Sequence, residues 1–217
     1  MRNSSALQVT FGGGLDSNEF YTPPDLVDRV RIALGGPIAL DPAWHPDSFT
    51  DPLCGIAQDE NHSTHPEYRS GDSWHWPVAT DLAGSPIDTR ESTSRSIAGF
   101  LNPPYSRGAV APYLEQVSKH TRDHKSHWIV LLKCDPSTRW FHRWIWPDCF
   151  GAACAVSFLR RRVRFCHRGK PATGGAKWPC VVAMFGNRGT DARTGHSSNR
   201  LFHDAFGGEF GRVVDDS

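Results

Sequence analysis

Asn102-Pro103-Pro104-Tyr105 sets an amide, two backbone-stiffening rings and a phenol side by side. Such a set suits chemistry at an aromatic amine. The lone pair of that nitrogen is delocalised into its ring, so it is a poor nucleophile until it is drawn toward tetrahedral geometry. Two acceptors aimed at its two hydrogens do this, and the Asn102 side-chain oxygen and the Pro103 carbonyl are the candidates. Proline fixes φ and pushes the residue before it toward extended backbone, so Pro103 and Pro104 hold both acceptors in a stretch poor in competing N–H donors. Tyr105 then offers a ring on which an extruded base can stack, a task for the ring and not for the hydroxyl. The same residues also suit a proline-bracketed turn with Tyr105 packing inward. Their place directly after the apolar run Phe100-Leu101 favours the chemical reading.

A strand must present the motif, and Ala98-Gly99-Phe100-Leu101 has the form of a buried one that delivers Asn102 at its carboxyl end. Pro37-Ile38-Ala39-Leu40-Asp41-Pro42 repeats that form with Asp41 as the delivered group, and Trp128-Ile129-Val130-Leu131-Leu132-Lys133 ends near Asp135-Pro136. A helix is expected from Val110 to His120, with Tyr113, Leu114 and Val117 as its apolar face. Strand, helix, strand implies a parallel α/β sheet with ligands at the carboxyl ends of its strands. Upstream, Thr22 can cap a helix, Pro23 suits its first position and Asp25 favours the positive end of its dipole. Leu26, Val27, Val30 and Leu34 supply the apolar face, and Gly35-Gly36 ends the helix. Late in the chain, Ala155–Leu159 and Val181–Gly186 follow one another without a clear helix between them, which predicts an antiparallel pair at one edge. The polar stretch from Asp47 to Arg95 must hold a further strand if the sheet is complete. The expected organisation is a flexible arm over residues 1–18 and a folded domain over 19–187. A loosely attached tail over 188–217 would carry a short helix around Leu201–Phe206.

A chain of 217 residues, 38% of them hydrophobic, supports one domain with a substantial core. No apolar run approaches a membrane span, and Met1–Thr10 lacks the basic-then-apolar layout of a signal peptide, so a cytoplasmic protein is expected. The formal net charge of +1 says little about a nucleic-acid partner, but its distribution says more. Arg160-Arg161-Arg162-Val163-Arg164 suits a phosphate-binding stripe and, equally, a solvated edge strand whose charges discourage aggregation. The six cysteines form no CxxC pair, which predicts free thiols. His62 with His65, and His120 with His124 and His127, lie in polar stretches without cysteine or carboxylate partners at ligand spacing, so no metal site is expected.

Taken in order, the blocks resemble the phage-type DNA N6-adenine methyltransferases, relatives of the Dam enzymes. Glu19-Phe20-Tyr21-Thr22-Pro23-Pro24 is similar to the family's amino-terminal cofactor motif, Leu40-Asp41-Pro42-Ala43 to its first cofactor strand, and Asn102-Pro103-Pro104-Tyr105 to its catalytic motif. Asp135-Pro136-Ser137-Thr138-Arg139-Trp140-Phe141, Phe158–Phe165 and Val182–Gly186 resemble later blocks. The resemblance spans residues 18 to 187. It implies a Rossmann-like α/β methyltransferase fold, a mostly parallel sheet with an antiparallel edge. It implies S-adenosylmethionine as methyl donor and DNA adenine as acceptor, in a bacterial, phage- or prophage-encoded protein. It implies cofactor contacts from Tyr21, Thr22, Pro23, Asp41, Pro42 and Ala43, with Asp72 as a further acid near the cofactor adenine, although Gly71-Asp72-Ser73 also suits an ordinary turn. Arg107, Arg139, Arg162 and Arg164 become DNA-binding candidates, as does Trp140, which equally suits a core aromatic capping the sheet. One departure from many methyltransferases is the lack of a glycine-rich loop after the first strand, where Asp41-Pro42-Ala43 runs into Trp44-His45-Pro46. Methylation of a protein glutamine amide, a non-catalytic binding module of the same fold and N4-cytosine methylation are the alternatives. The missing loop disfavours the first, the intact motif the second, and Asn102 in place of serine the third.

Overall fold

A computed structural model describes residues 20–57, 76, 97–105, 108–124, 126–146, 153–167, 170–186 and 197–215. The amino-terminal arm, Asp72 and Arg107 lie outside the described residues. The elements are α1 (Pro24–Leu34), β1 (Leu40–Trp44), β2 (Cys54–Ala57), β3 (Ala98–Leu101), α2 (Val110–His124) and β4 (His127–Lys133). After a π-helical turn at Phe141–Ile145 come β5 (Ala155–Leu159), β6 (Cys166–His167), β7 (Lys170–Pro171), β8 (Cys180–Phe185), α3 (Ser198–Phe206) and β9 (Gly211–Asp215).

Among the described residues seven strands form one sheet in the order β2-β1-β3-β4-β8-β5-β9, and β6 pairs with β7 apart from it. The pairs among β2, β1, β3 and β4 are parallel, and those from β4 through β8 and β5 to β9 are antiparallel. The expected β5–β8 pair is present. It is not an edge pair, because β9 adds a further strand outside β5. The expected extra strand between Asp47 and Arg95 is β2.

Helices cover both faces. On one, Leu26, Val27, Val30 and Leu34 of α1 and Phe202, Ala205 and Phe206 of α3 pack on Phe100, Ile129, Leu131, Val182 and Met184. On the other, Val110, Leu114 and Val117 of α2 and Phe141, Trp144 and Ile145 of the π-helical turn pack on Leu101, Trp128, Val130, Leu132, Val181, Ala183 and Phe185. Alternate residues of β4 thus serve opposite layers, which is why its apolar run is continuous. Each such side chain contributes roughly 1.5–3 kcal/mol when fully buried. Gly99 faces the Trp128 ring across the β3–β4 pair so closely that a β-carbon has no room.

Further sequence expectations change. Thr22 does not cap α1: Pro23 takes the cap position and Pro24 the first helical one, the Pro23 carbonyl accepting from the Leu26 and Val27 N–H groups (3.0 and 3.1 Å), and the Thr22 side chain is buried instead. The end is as expected, with Gly35 left-handed (φ 67°) and the Gly35 and Gly36 N–H groups returning to the Ile32 and Arg31 carbonyls. The first strand begins at Leu40 rather than Pro37 and runs to Trp44. Its register slips between Asp41 and Trp44, where Pro42 offers no N–H to the ladder. Residues 197–215 are not a loose tail. The Arg29 guanidinium donates to the Ala205 carbonyl (2.7 Å) and lies over the Phe210 ring (4.0 Å), the Ser157 hydroxyl donates to the Phe206 carbonyl (2.7 Å), and β9 pairs with β5 along its length. No helix among the described residues is long and apolar enough to cross a membrane.

Candidate active site

The chain leaves β1 for β2 on one side and returns to β3 on the other. The carboxyl ends of β1 and β3 therefore flank the point where strand order reverses, the place where open α/β sheets bind ligands. Leu40, the first residue of β1, pairs with Gly99, so Asp41 within β1 and Asn102 just past β3 lie on neighbouring strands.

Asn102 is held from both ends. Its Nδ2 donates to the Phe20 carbonyl (2.6 Å), and its Oδ1 lies 2.8 Å from the Tyr105 hydroxyl. That hydroxyl is also 3.1 Å from the Leu131 carbonyl on β4. Burial, with the Cys180 thiol nearby, pushes the Tyr105 phenol well above its ordinary range, so it stays protonated. The Tyr105 ring lies among Phe20, Phe165 and Trp178, at centroid distances of 6.3, 6.3 and 5.9 Å. Pro103 is buried, and Asn102, Pro104 and Tyr105 are half-buried.

Asp41 is buried, its Oδ2 accepting from the Thr50 hydroxyl (2.8 Å) and its Oδ1 from the Ala43 N–H (3.0 Å). Loss of solvent outweighs those bonds and pushes the carboxyl up to about 6. Burial first, then the Asp41 charge, pushes the Tyr113 phenol on α2 up to about 12. Tyr21 exchanges backbone hydrogen bonds with Cys166 (3.1 and 2.8 Å), and its ring stacks on His45 and His167. This pairing docks the amino-terminal block onto the Phe158–Phe165 block, two stretches far apart in sequence.

After β5 the backbone leaves the sheet, so Arg160–Arg164 is not an edge strand, and the strand outside β5 is β9. Val163 and Phe165 point into the core, and their carbonyls accept from Ala176 and Ala172 (2.7 and 2.8 Å). Arg160, Arg161, Arg162 and Arg164 are left exposed. Phe165 lies 5.5 Å from Phe20 by centroid, so the arginine segment borders the Asn102 motif. On the loop after β4, Ser137 and Lys133 bond the Asp135 carboxylate (2.6 and 2.9 Å) and hold it below the usual carboxylate range. Arg139 is exposed there, and Trp140 packs half-buried against the α2 face of the sheet, beside Phe141.

Phe20 and Phe165, quoted in the sequence only as members of blocks, join the site together with Thr50 and Trp178, which the sequence did not single out. The cysteines 54, 134, 154, 166 and 180 carry free thiols, and burial pushes Cys54 up to about 11 and Cys180 to about 12. Among the described residues no group of three His, Cys, Asp or Glu side chains is placed to hold a metal ion. His120 bonds Ser126 (3.1 Å) and His127 bonds the Gly186 carbonyl (2.6 Å), while His62 and His65 lie outside the described residues.

The family model for DNA N-6-adenine-methyltransferase (Dam) matches residues 89–197, half of the chain. The chain belongs to the Dam family. The Dam match contains Asn102–Tyr105, Arg139, Trp140, Arg162 and Arg164, whereas Tyr21, Thr22 and Asp41 precede it. Neither a curated protein nor a solved structure matches the chain.

Proposed function

We propose that the protein transfers a methyl group from S-adenosylmethionine to the N6 amine of adenine in DNA, using a Rossmann-like sheet and acting in the bacterial cytoplasm. The observation that carries this reading is the Asn102-Pro103-Pro104-Tyr105 motif at the carboxyl end of β3, inside the Dam match.

Tyr21, Thr22, Pro23, Asp41, Pro42 and Ala43 are assigned to the cofactor, with Asp72 as a further candidate. The chemistry of Asp41 fits that ligand. Among the described residues each of its oxygens accepts a single hydrogen bond, so lone pairs remain for ligand donors. A carboxylate whose ionisation the fold disfavours also gains from a cationic ligand. When bound, S-adenosylmethionine supplies an electrophilic methyl group on a sulfonium.

Asn102 Oδ1 and the Pro103 carbonyl accept from the two N6 hydrogens and draw the nitrogen toward tetrahedral geometry. Their work is positioning and electrostatics; no covalent bond to the enzyme forms. The methylated nitrogen is then strongly acidic and gives its extra proton to solvent. Tyr105 stacks on the extruded base. Arg107, Arg139, Arg162 and Arg164 bind DNA phosphates, and Trp140 contributes at the groove.

The test is incubation with labelled S-adenosylmethionine and DNA, followed by nucleoside mass spectrometry. N6-methyladenine is expected; label on cytosine or on protein amides, or none on adenine, refutes the reading. Asn102→Ala should lower single-turnover transfer by about ten- to a hundredfold, the loss of a bond worth roughly 1–3 kcal/mol. Cofactor affinity should stay at the parental value, because that bond matters most in the transition state.

A further inference from the structure

The Asn102–Tyr105 hydrogen bond assigns work to a hydroxyl that base stacking does not need. Only an NH2 group can bond a carbonyl, so the 2.6 Å contact with the Phe20 carbonyl fixes which end of the Asn102 amide is nitrogen. The oxygen end is thereby turned to Tyr105, whose hydroxyl lies 2.8 Å away. An amide oxygen has two lone pairs, so one is engaged by the phenol and one remains.

The phenol oxygen is itself seated. Its single proton is shared between Asn102 Oδ1 and, at 3.1 Å, the carbonyl of Leu131 on β4, a strand paired on both sides, with the shorter contact to Asn102 taking the larger share. The Tyr105 ring is wedged among Phe20, Phe165 and Trp178. Both clamps on the Asn102 amide, the Phe20 carbonyl and the Tyr105 hydroxyl, are therefore fixed by parts of the fold outside the motif.

We infer that the Tyr105 hydroxyl is a positioning group that locks the Asn102 side chain so that its remaining oxygen lone pair is the one offered to the adenine amine. The inference rests on the reading of Asn102 as an acceptor for that amine. It separates two jobs of one residue: the ring stacks, and the hydroxyl orients its neighbour. With the hydroxyl removed, the amide is tethered at its nitrogen end alone and its oxygen rocks about χ2. A base can still bind, but the acceptor meets it in the wrong geometry for part of the time.

The experiment compares the parent, Tyr105→Phe, Asn102→Ala and the double variant in single-turnover transfer to adenine-containing DNA. DNA KM, cofactor affinity and thermal melting are measured alongside. Tyr105→Phe should lower kcat by about tenfold, the scale of one neutral hydrogen bond, with DNA KM, cofactor affinity and melting temperature unchanged. In the Asn102→Ala background the same substitution should change nothing further, because the hydroxyl acts through Asn102. Parental kcat in Tyr105→Phe overturns the inference while leaving the methyltransferase reading intact. So does an equal loss in both backgrounds, or a kcat loss accompanied by a lower melting temperature or a raised KM. A parent that places no methyl on adenine refutes the underlying reading and this inference with it, and the parental reaction alone tells that outcome apart.

Discussion

Asp41 carries the clearest pH dependence of any side chain at the site. Its carboxyl is raised from 3.8 to about 6 by burial, so between those values the folded chain binds more protons than the unfolded one. The contribution of Asp41 to stability is therefore full below pH 3.8 and is lost as pH rises through 6, with the ionised form costing roughly 3 kcal/mol at neutral pH. Asp41→Asn should flatten this decline, read from urea denaturation at several pH values across the window. A ligand that donates to the carboxylate favours its ionised form, so S-adenosylmethionine should bind more tightly to the parent as pH rises through that range. Calorimetry giving the same decline and the same affinity profile for Asp41→Asn would remove Asp41 from the cofactor site. Asn102 was legible in the sequence because its place directly after an apolar strand and its residue type pointed the same way, whereas Asp41 was legible by residue type alone, being the second residue of β1 and not its end. Thr50 was not, since a threonine in a polar stretch looks like any turn residue. The Phe20 carbonyl was not either, because a backbone acceptor leaves no mark in the sequence.

β3 is the element that delivers the motif, and its tolerance is set by Gly99. A β-carbon there would run into the Trp128 ring, which is itself pinned by a hydrogen bond from its Nε1 to the Ser126 hydroxyl (2.8 Å). Gly99→Ala should cost about 1–3 kcal/mol, the usual range for overpacking, and lower the melting temperature by roughly 2–4 °C per kcal/mol. It should also weaken methyl transfer, because Asn102 lies three residues downstream. An unchanged melting curve would mean that the indole yields more easily than its partners suggest. The long apolar runs announced β3, β4 and β8, and alternation with α2 announced the parallel half of the sheet. α3 and β9 were harder. α3 was expected only as a short helix, and β9 has polar flanks and two consecutive valines. Each is stabilised by docking onto α1 and β5, partners that no local pattern names.

At the scale of the molecule, the exposed arginines after β5 border the motif. Phosphate binding by arginine releases counterions, so an Arg162→Ala, Arg164→Ala double variant should bind DNA with a salt slope shallower by about one for each phosphate left without its guanidinium. Fluorescence titration over a range of salt concentrations measures this, and an unchanged slope would assign these side chains to solvent. The clamp on Asn102 has a consequence in kinetics. Its two ends bridge separations of 82 and 3 residues, and the phenol's second acceptor lies 26 residues further along the chain. Segments so distant in sequence meet late, after the chain entropy between them has been spent. A half-folded chain can have its helices and several strands and still lack an oriented acceptor, so the appearance of catalysis during refolding is a clock that starts only when the last distant segments have docked.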